Sequence, residues 1–451
     1  MYKTLKHMSK KQEIIGAIDI GTTKIVTIIG KKNEVGRLEI LALSKTESKG
    51  VKRGVVQNIE ETVAAISKTV EEAELKSSIK LTEVFVGIAG QHIRSIKNRG
   101  YINRDSFDDE ITREDIERLR RDMEKIPIEV GEEIIHVIPQ SYIVDNETGV
   151  KSPVGMSGKR LEANFHIVVA QIASAKNIEK CVNRAGLKVK CLMLEPLASS
   201  EAVLTDDEKE AGVALVDIGG GTTDMAVYYD DIIRHTAVIP FGGNVITKDI
   251  KEGCAILQRQ AEQLKIQFGS ALGEIAEEDK VVSIAGIAGR EPKEISFKSL
   301  AYIIQSRMEE ILDAVCFELE NSGYMDKLSA GIVITGGGAL LKHLPQLVRF
   351  KTGMDVRVGY PNEYLASQDL PEVNHPMFST AIGLLLKGFE HLKERNETIA
   401  TNSHTKELIE QQQTILETEE VPIDGTKQKE SFLESIKKTF SNIFEEDDIK
   451  M

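Results

Sequence analysis

The chain has 451 residues, enough at roughly 100–200 residues per domain for about two to four domains, and its 41% apolar residues can fill more than one core. With 71 Asp and Glu against 57 Lys and Arg, the net charge of −14 repels phosphate backbones and argues against non-specific nucleic-acid binding. Four cysteines (Cys181, Cys191, Cys254, Cys316) without C-x-x-C or H-x-x-x-H spacing offer neither a disulfide framework nor a zinc site, and read as small buried residues of a reducing compartment.

The N-terminal MYKTLKHMSKK is basic, but the strand-like run after it reaches Asp19 too soon for a signal-peptide apolar region. No window supplies the ~20 apolar residues of a membrane span, so a cytoplasmic chain is expected. Over 14–45, IIGAIDIGTTKIVTIIG and LEILALS predict strands and a turn. Ile59, Val63, Ile66 and Val70 recur at helical spacing over 59–75, and EVFVGIAG at 83–90 closes a β-β-β-α-β unit. From 91 the sequence turns polar and charged. A helix begins in ITREDIERLRRDM, where Thr112 caps and Asp115 stands three residues on, close to a capping box. The alternating strand IIHVIPQSYIVD, the glycine-rich GVKSPVGMSGKRLE and the strand ANFHIVVAQI follow, so that 91–165 reads as a small inserted α+β module.

A helix in SAKNIEKCVNRAG leads to the strand VKCLMLE, and EPLASSEAVL resumes helical spacing. VALVDIGGGTTDMAVYYD at 213–230 is again strand, glycine-rich turn, strand; 247–327 is mostly helical, with a hairpin candidate in SIAGIAGREPKEIS. GIVITGGGALL at 331–341 and MFSTAIGLLLKG at 377–388 complete the ordered pattern. Residues 391–430 are polar and read as a flexible linker, and 431–446 as an amphipathic helix.

AIDIGTTKIV at 17–26 and LVDIGGGTTDMAV at 215–227 are a duplication, their aspartates 198 residues apart. Each lies between two apolar strand patterns and is therefore a hairpin tip, unlike a P-loop, which opens a helix. Glycine lets backbone approach a ligand, while N–H groups and hydroxyls of Gly21, Thr22, Thr23 and Lys24, and of Gly219, Gly220, Gly221, Thr222 and Thr223, present donors to phosphate oxygens. Lys24 is placed either to contact phosphate or to face solvent. Asp19 and Asp217, just before each turn, are placed to hold Mg²⁺ through its water shell. Gly336, Gly337 and Gly338, directly after the strand GIVIT, leave room for backbone against a flat adenine.

These motifs stand in the order of the actin-like ATPase superfamily. The chain resembles it over 14–388, in a first phosphate loop (Asp19 to Lys24), a connecting helix (Glu195-Pro196-Leu197-Ala198), a second phosphate loop (Asp217 to Asp224), an adenosine loop (Thr335 to Ala339) and a second connecting helix (Ala381 to Leu384). Within it, GIAGQHI, EITREDIERL, VIPQSYIVD, GMSGKRLE, LEPLASSEAVL and AEQLKIQFG resemble the bacterial cell-division FtsA family over about 1–390. That resemblance implies an α/β actin-like fold: two RNase-H-like domains around a nucleotide cleft, an inserted α+β subdomain and a C-terminal amphipathic helix. The first domain would comprise 12–90, 166–210 and 373–390 with the insert at 91–165. The second would comprise 211–246 and 328–372 with a subdomain at 247–327.

ATP and Mg²⁺ are the implied cofactors. Glu262 and Lys265 would face ribose and adenine, although an i, i+3 Glu/Lys pair is also an ordinary solvated pair. Glu195 would orient attacking water or act as general base. Arg307, in the 247–327 subdomain, would receive the acidic C-terminal tail of FtsZ. Phe432, Leu433, Ile436, Phe440, Ile443 and Phe444 fall within an arc of about 120° at ~100° per residue. Such a face docks on its own domain, pairs with another protein or enters a membrane interface, and the resemblance favours membrane. Only Lys437 and Lys438 precede Glu445, Glu446, Asp447 and Asp448, so apolar insertion rather than lipid electrostatics must dominate. The expected protein binds ATP with at most slow hydrolysis, forms filaments with itself on the cytoplasmic face of the inner membrane at the division site, tethers FtsZ and meets other division proteins. An Hsp70-like chaperone would need a β-rich peptide-binding domain after 390, and a small-molecule kinase a catalytic carboxylate in a substrate-sized cleft.

Overall fold

A computed structural model describes residues 13–104, 109–286, 290–366 and 373–393, and the duplication recurs in it as two sheets of one topology. In the first lobe β1 (Ile14–Ile20), β2 (Lys24–Lys32) and β3 (Leu38–Glu47) form an antiparallel meander. A two-residue-strand hairpin, β4 (Val51–Lys52) and β5 (Val55–Val56), precedes α1 (Ile59–Ser77) and β6 (Glu83–Ile88), which lies parallel to β1. The side chain of Asn58 accepts from the Glu61 N–H and starts α1; Ile66, Val70 and Ala73 on one stripe are buried.

The insert contributes β7 (Ile93–Asn103), α2 (Arg113–Met123), β8 (Glu132–Val144), β9 (Glu147–Val150) and β10 (Arg160–Gln171), in the sheet order β7-β10-β8-β9. The expected capping box is present: Asp115 N–H donates to the Thr112 hydroxyl, and Thr112 N–H to the Asp115 carboxylate. The boundary expected at 165 falls within β10, which pairs with β7 and β8 through Ala170. Leu119, Leu161, Phe165 and Ile167 form the insert's own core. Its sheet also reaches the second lobe, where Gln140 Nε2 donates to Ile233 O at 2.6 Å and the Ser95 hydroxyl to Thr236 O at 3.1 Å.

α3 (Ile172–Arg184) and β11 (Lys188–Leu194) complete the first lobe, and α4 (Glu195–Val203) and α5 (Asp206–Ala211) lead out of it. The second lobe repeats the meander in β12 (Val213–Ile218), β13 (Thr223–Tyr229) and β14 (Ile232–Ile239). α6 (Gly243–Cys254), α7 (Gln258–Phe268), the hairpin β15 (Val281–Ile284) and β16 (Lys293–Ser296), and α8 (Phe297–Ser322) follow. The boundary expected at 246 falls within α6, because Ile246 and Ile250 belong to one core with Val216, Leu264 and Leu312. Then come β17 (Ile332–Thr335), α9 (Leu344–Thr352), β18 (Val356–Val358) and a last helix, α10, over 379–393.

The sheet orders β11-β6-β1-β2-β3 and β18-β17-β12-β13-β14 match strand for strand. α4 and α10 run between the lobes and touch: a Cβ on Gly383 would lie 1.7 Å from Ala198 O, so only glycine permits this crossing. No helix among the described residues is long and apolar enough to cross a membrane. The proposed linker beyond residue 393, the amphipathic helix and all six of its apolar residues lie outside the described residues.

Candidate functional site

The two hairpin tips meet in the cleft between the lobes. Ile20 pairs with Ile25 and Ile218 with Thr223, so both tips are loops of equal length, Gly21 to Lys24 and Gly219 to Thr222. Thr22 and Thr23 therefore occupy the places of Gly220 and Gly221, and Lys24 that of Thr222. The threonine pairs that make the motifs look alike in sequence are not structural equivalents. A Cβ on Gly220 would lie 1.7 Å from Thr23 Oγ1, so these glycines accommodate the opposite tip as well as any ligand. Asp19, Gly21, Thr22, Thr23, Lys24, Glu195, Asp217, Gly219, Gly220, Gly221 and Thr222 share the cleft lining.

Strand register adds a carboxylate that the motif did not single out. Asp217 pairs across the hairpin with Asp224, whereas Asp19 pairs with Val26. Asp224 Oδ2 accepts from the Thr222 hydroxyl at 3.0 Å, but its Oδ1 is buried without a partner. Asp217 Oδ2 accepts from the Ser199 hydroxyl at 2.7 Å and from Thr380 at 3.3 Å. Glu195, the first residue of α4, packs on β6, its Cγ 3.0 Å from where a Gly87 Cβ would stand.

Four acidic side chains thus share a space with one cation, Lys24. Burial pushes the Asp19 carboxyl up to about 6, with Lys24 pulling it down and Asp217 adding to the rise. Burial raises Glu195 well above the carboxylate range, assisted by Asp19, Asp224 and Asp217. Asp224 is raised well above it by burial and then by Asp217; Asp217 is raised by burial but relieved by the Ser199 hydroxyl, Lys24 and Thr380. An acidic cluster with an orphaned carboxylate oxygen fits a divalent cation. Among the described residues no three His, Cys, Asp or Glu side chains are arranged to ligate a metal directly.

The remaining expected residues divide. Lys24 is in the cleft rather than turned to solvent. Thr223 is not in the lining: its hydroxyl donates to Phe241 O at 2.9 Å and buttresses the tip from behind. In the third glycine run only Gly337 has open space where a Cβ would be. A Cβ on Gly336 would come 2.2 Å from Asp217 Oδ1, and one on Gly338 2.4 Å from Ile218 Cγ2, so these two are demanded by the neighbouring strand. Glu262 and Lys265 form a half-buried pair outside the cleft lining. Lys265 Nζ donates to Glu262 at 2.8 Å, to the Thr247 hydroxyl at 2.8 Å and to Gly243 O at 2.9 Å. The pair braces α6, whose Gly243 N–H donates to Gly219 O at 2.9 Å behind the second tip. Arg307, on α8, is already engaged by two carboxylates, Asp249 and Glu310.

Asp224, Pro376, Met377 and Thr380 line the cleft without having been singled out, and Ser199 stands directly behind it. Asp224 was accessible as the acid ending the second motif. The others have no local signal, since long-range packing of α4 and α10 brings them in.

The family model described as "Cell division protein FtsA" matches residues 214–383, and that described as "SHS2 domain inserted in FTSA" matches residues 90–169. The cell division protein FtsA of Pseudomonas aeruginosa is 40% identical over 378 residues, covering 84% of this chain and 90% of that one. FtsA of Neisseria meningitidis serogroup B is 41% identical over 379 residues, with 84% and 91% covered, and that of Escherichia coli K12 is 35% identical over 410 residues, with 88% and 97% covered. Among solved structures, the PilM-PilN type IV pilus biogenesis complex matches with a TM-score of 0.60 at 17% identity, covering 83% of this chain and 98% of that one. MreB 5 of Spiroplasma citri bound to AMPPNP matches with a TM-score of 0.51 at 14% identity, covering 86% and 99%. These two bear on fold alone. With an actin-like α/β fold carrying an inserted SHS2 domain, the chain belongs to the FtsA family of cell-division proteins.

Proposed function

We propose that the cleft binds ATP with Mg²⁺, and that the chain forms filaments at the cytoplasmic face of the inner membrane and tethers FtsZ there during division. The observation that carries the nucleotide reading is the orphaned, cation-poor carboxylate cluster beneath two facing glycine and threonine tips. The Spiroplasma citri relative in fold is bound to AMPPNP, which supports the same reading. A bound Mg²⁺ supplies positive charge to phosphates and carboxylates together. Asp19 and Asp217 would hold it through its water shell. Lys24, the loop N–H groups and the hydroxyls of Thr22, Thr23 and Thr222 would receive the phosphates. Glu195 would orient water or accept its proton; hydrolysis at most slow, in the service of assembly, fits a chain whose relatives are division proteins rather than metabolic enzymes. The adenosine would lie toward Gly337, the one open position of the third glycine run.

Membership of the FtsA family supports the partners: a second copy of the chain, the C-terminal tail of FtsZ near Arg307, other division proteins, and lipid through Phe432, Leu433, Ile436, Phe440, Ile443 and Phe444. It also disfavours the chaperone and kinase alternatives. Co-sedimentation with vesicles, with and without Mg-ATP, tests nucleotide, filament and membrane together. Binding that requires both nucleotide and the last twenty residues is expected; a chain that neither binds ATP in direct titration nor sediments with vesicles would overturn the reading.

A further inference from the structure

The two hairpins share register and loop length, yet their leading aspartates are wired differently. Among the described residues Asp19 receives no side-chain hydrogen bond and is balanced only by the charge of Lys24. Asp217 Oδ2 receives the Ser199 hydroxyl at 2.7 Å and that of Thr380 at 3.3 Å, and the two hydroxyls lie 3.0 Å apart. Ser199 is 0% exposed, Asp217 7% and Thr380 9%, so water does not compete for these bonds.

Ser199 belongs to α4 and Thr380 to the first turn of α10, the two helices whose crossing at Ala198 and Gly383 leaves no room for a side chain. The next strand is attached in the same way. Thr335, the register partner of Asp217 on β17, shares a 2.7 Å hydroxyl contact with Ser379, the neighbour of Thr380. Two adjacent strand ends of the second lobe are therefore stitched to consecutive residues of α10, and one of those strand ends carries a carboxylate of the cleft.

We propose that Ser199 and Thr380 are positioning residues that fix the Asp217 carboxylate and transmit its occupation to the helix crossing, so that of the two hairpins it is the second that reports the metal-nucleotide state to the hinge. The proposal rests on the nucleotide reading above. A cation drawn toward Asp217 pulls on two hydroxyls anchored in the helices that run between the lobes, whereas among the described residues a cation drawn toward Asp19 pulls on none. Because buried crossings of this kind move as packed units, the pull is expressed at α4 and α10 together.

The test is direct titration of ADP into the full chain with Mg²⁺ and with EDTA, for wild type, Ser199→Ala, Thr380→Val and Thr380→Ser. The gain in affinity on adding Mg²⁺ should fall about tenfold in Ser199→Ala and Thr380→Val, the size of one hydrogen bond to a charged group, and return in Thr380→Ser. An unchanged gain in both variants, or a Thr380→Ser chain that behaves like Thr380→Val, overturns the proposal. Hydrogen exchange on wild type needs no variant to fold: Mg²⁺ added to the ADP complex should increase protection in α4 and at the start of α10, and no change there counts against the wiring. Wild type that binds no ADP at all overturns the nucleotide reading itself, and this proposal with it.

Discussion

Gly221 and Thr22 oppose each other across the cleft so closely that a Cβ on Gly221 would lie 2.4 Å from Thr22 Oγ1 and 2.7 Å from both Cβ and Cγ2. Both branches of the threonine and the Cβ that carries them are in the way, so no rotamer relieves the contact. Gly221→Ala should destabilise the unliganded chain by about 1–3 kcal/mol, the usual cost of overpacking, and Thr22→Gly in the same chain should recover part of it. Denaturation midpoints of the two single variants and the double variant measure the coupling. Simple additivity would mean that the tips do not touch in solution.

The aspartates before the tips should separate in the unliganded chain. For Asp19 the folded carboxyl titrates near 6 against an ordinary 3.8, so ionising it costs stability. The cost is absent below the unfolded value, grows as pH rises between the two, and is complete above the folded value. Unliganded Asp19→Asn should therefore melt above wild type at pH 8, with the difference gone near pH 4. In Mg-ATP titrations Asp19→Asn and Asp217→Asn should both weaken binding by about a kilocalorie or more, and metal-free binding less. Asp217→Asn that binds Mg-ATP like wild type would dissociate the second loop from the metal.

Duplication, sheet content and both tips were legible because periodicity and glycine spacing are local properties. What was not legible depended on register or on distant packing. β7 was read only as polar sequence, since it is an edge strand with most of its side chains exposed or half-exposed and becomes a strand by pairing with β10. Asp224 joins the cluster because register sets it opposite Asp217, and Ser199 and Thr380 because two helices cross. For Glu262 and Lys265 the spacing was visible, but not that Thr247 and Gly243 would turn the pair onto α6.

Glu195 stands well above the carboxylate range through burial, then Asp19, Asp224 and Asp217, so in the unliganded chain it gives up its proton only at a higher pH than an ordinary carboxyl. A base must first lose that proton, and hydrolysis by wild type should therefore rise with pH. Glu195→Gln should bind Mg-ATP, hydrolyse it about 10²-fold more slowly or worse, and lose the rise. Phosphate release at the wild-type rate with the wild-type profile would exclude Glu195 from handling water.

Arg307 is held by Asp249, whose Oδ1 accepts from Nη2 at 3.1 Å while Nε bonds the other oxygen, and by Glu310. An acidic peptide must compete with these carboxylates. Asp249→Asn should leave the guanidinium to Glu310 as its one charged partner here and raise affinity for an FtsZ C-terminal tail peptide, while Arg307→Glu should lower it, each without effect on ATP binding. Fluorescence anisotropy that finds both variants equal to wild type would move the peptide site away from α8.

The helix expected over 431–446 would gather its six apolar side chains on one side, too concentrated there to be left in water. Full burial is worth ~1.5–3 kcal/mol for each large side chain, but interfacial insertion is partial and the helix must be ordered first. One copy should bind vesicles weakly. The proposed filament would change this, because neighbouring helices would reach the bilayer at high effective concentration. Phe440→Asp, in the middle of the arc, or truncation after Gly425 should abolish vesicle binding while ATP binding and filament formation in solution persist. With Glu445, Glu446, Asp447 and Asp448 limiting lipid electrostatics, wild-type binding should weaken only modestly between low and moderate salt. Sedimentation that survives Phe440→Asp, or that vanishes with moderate salt, would show that something other than this apolar face holds the chain at the membrane.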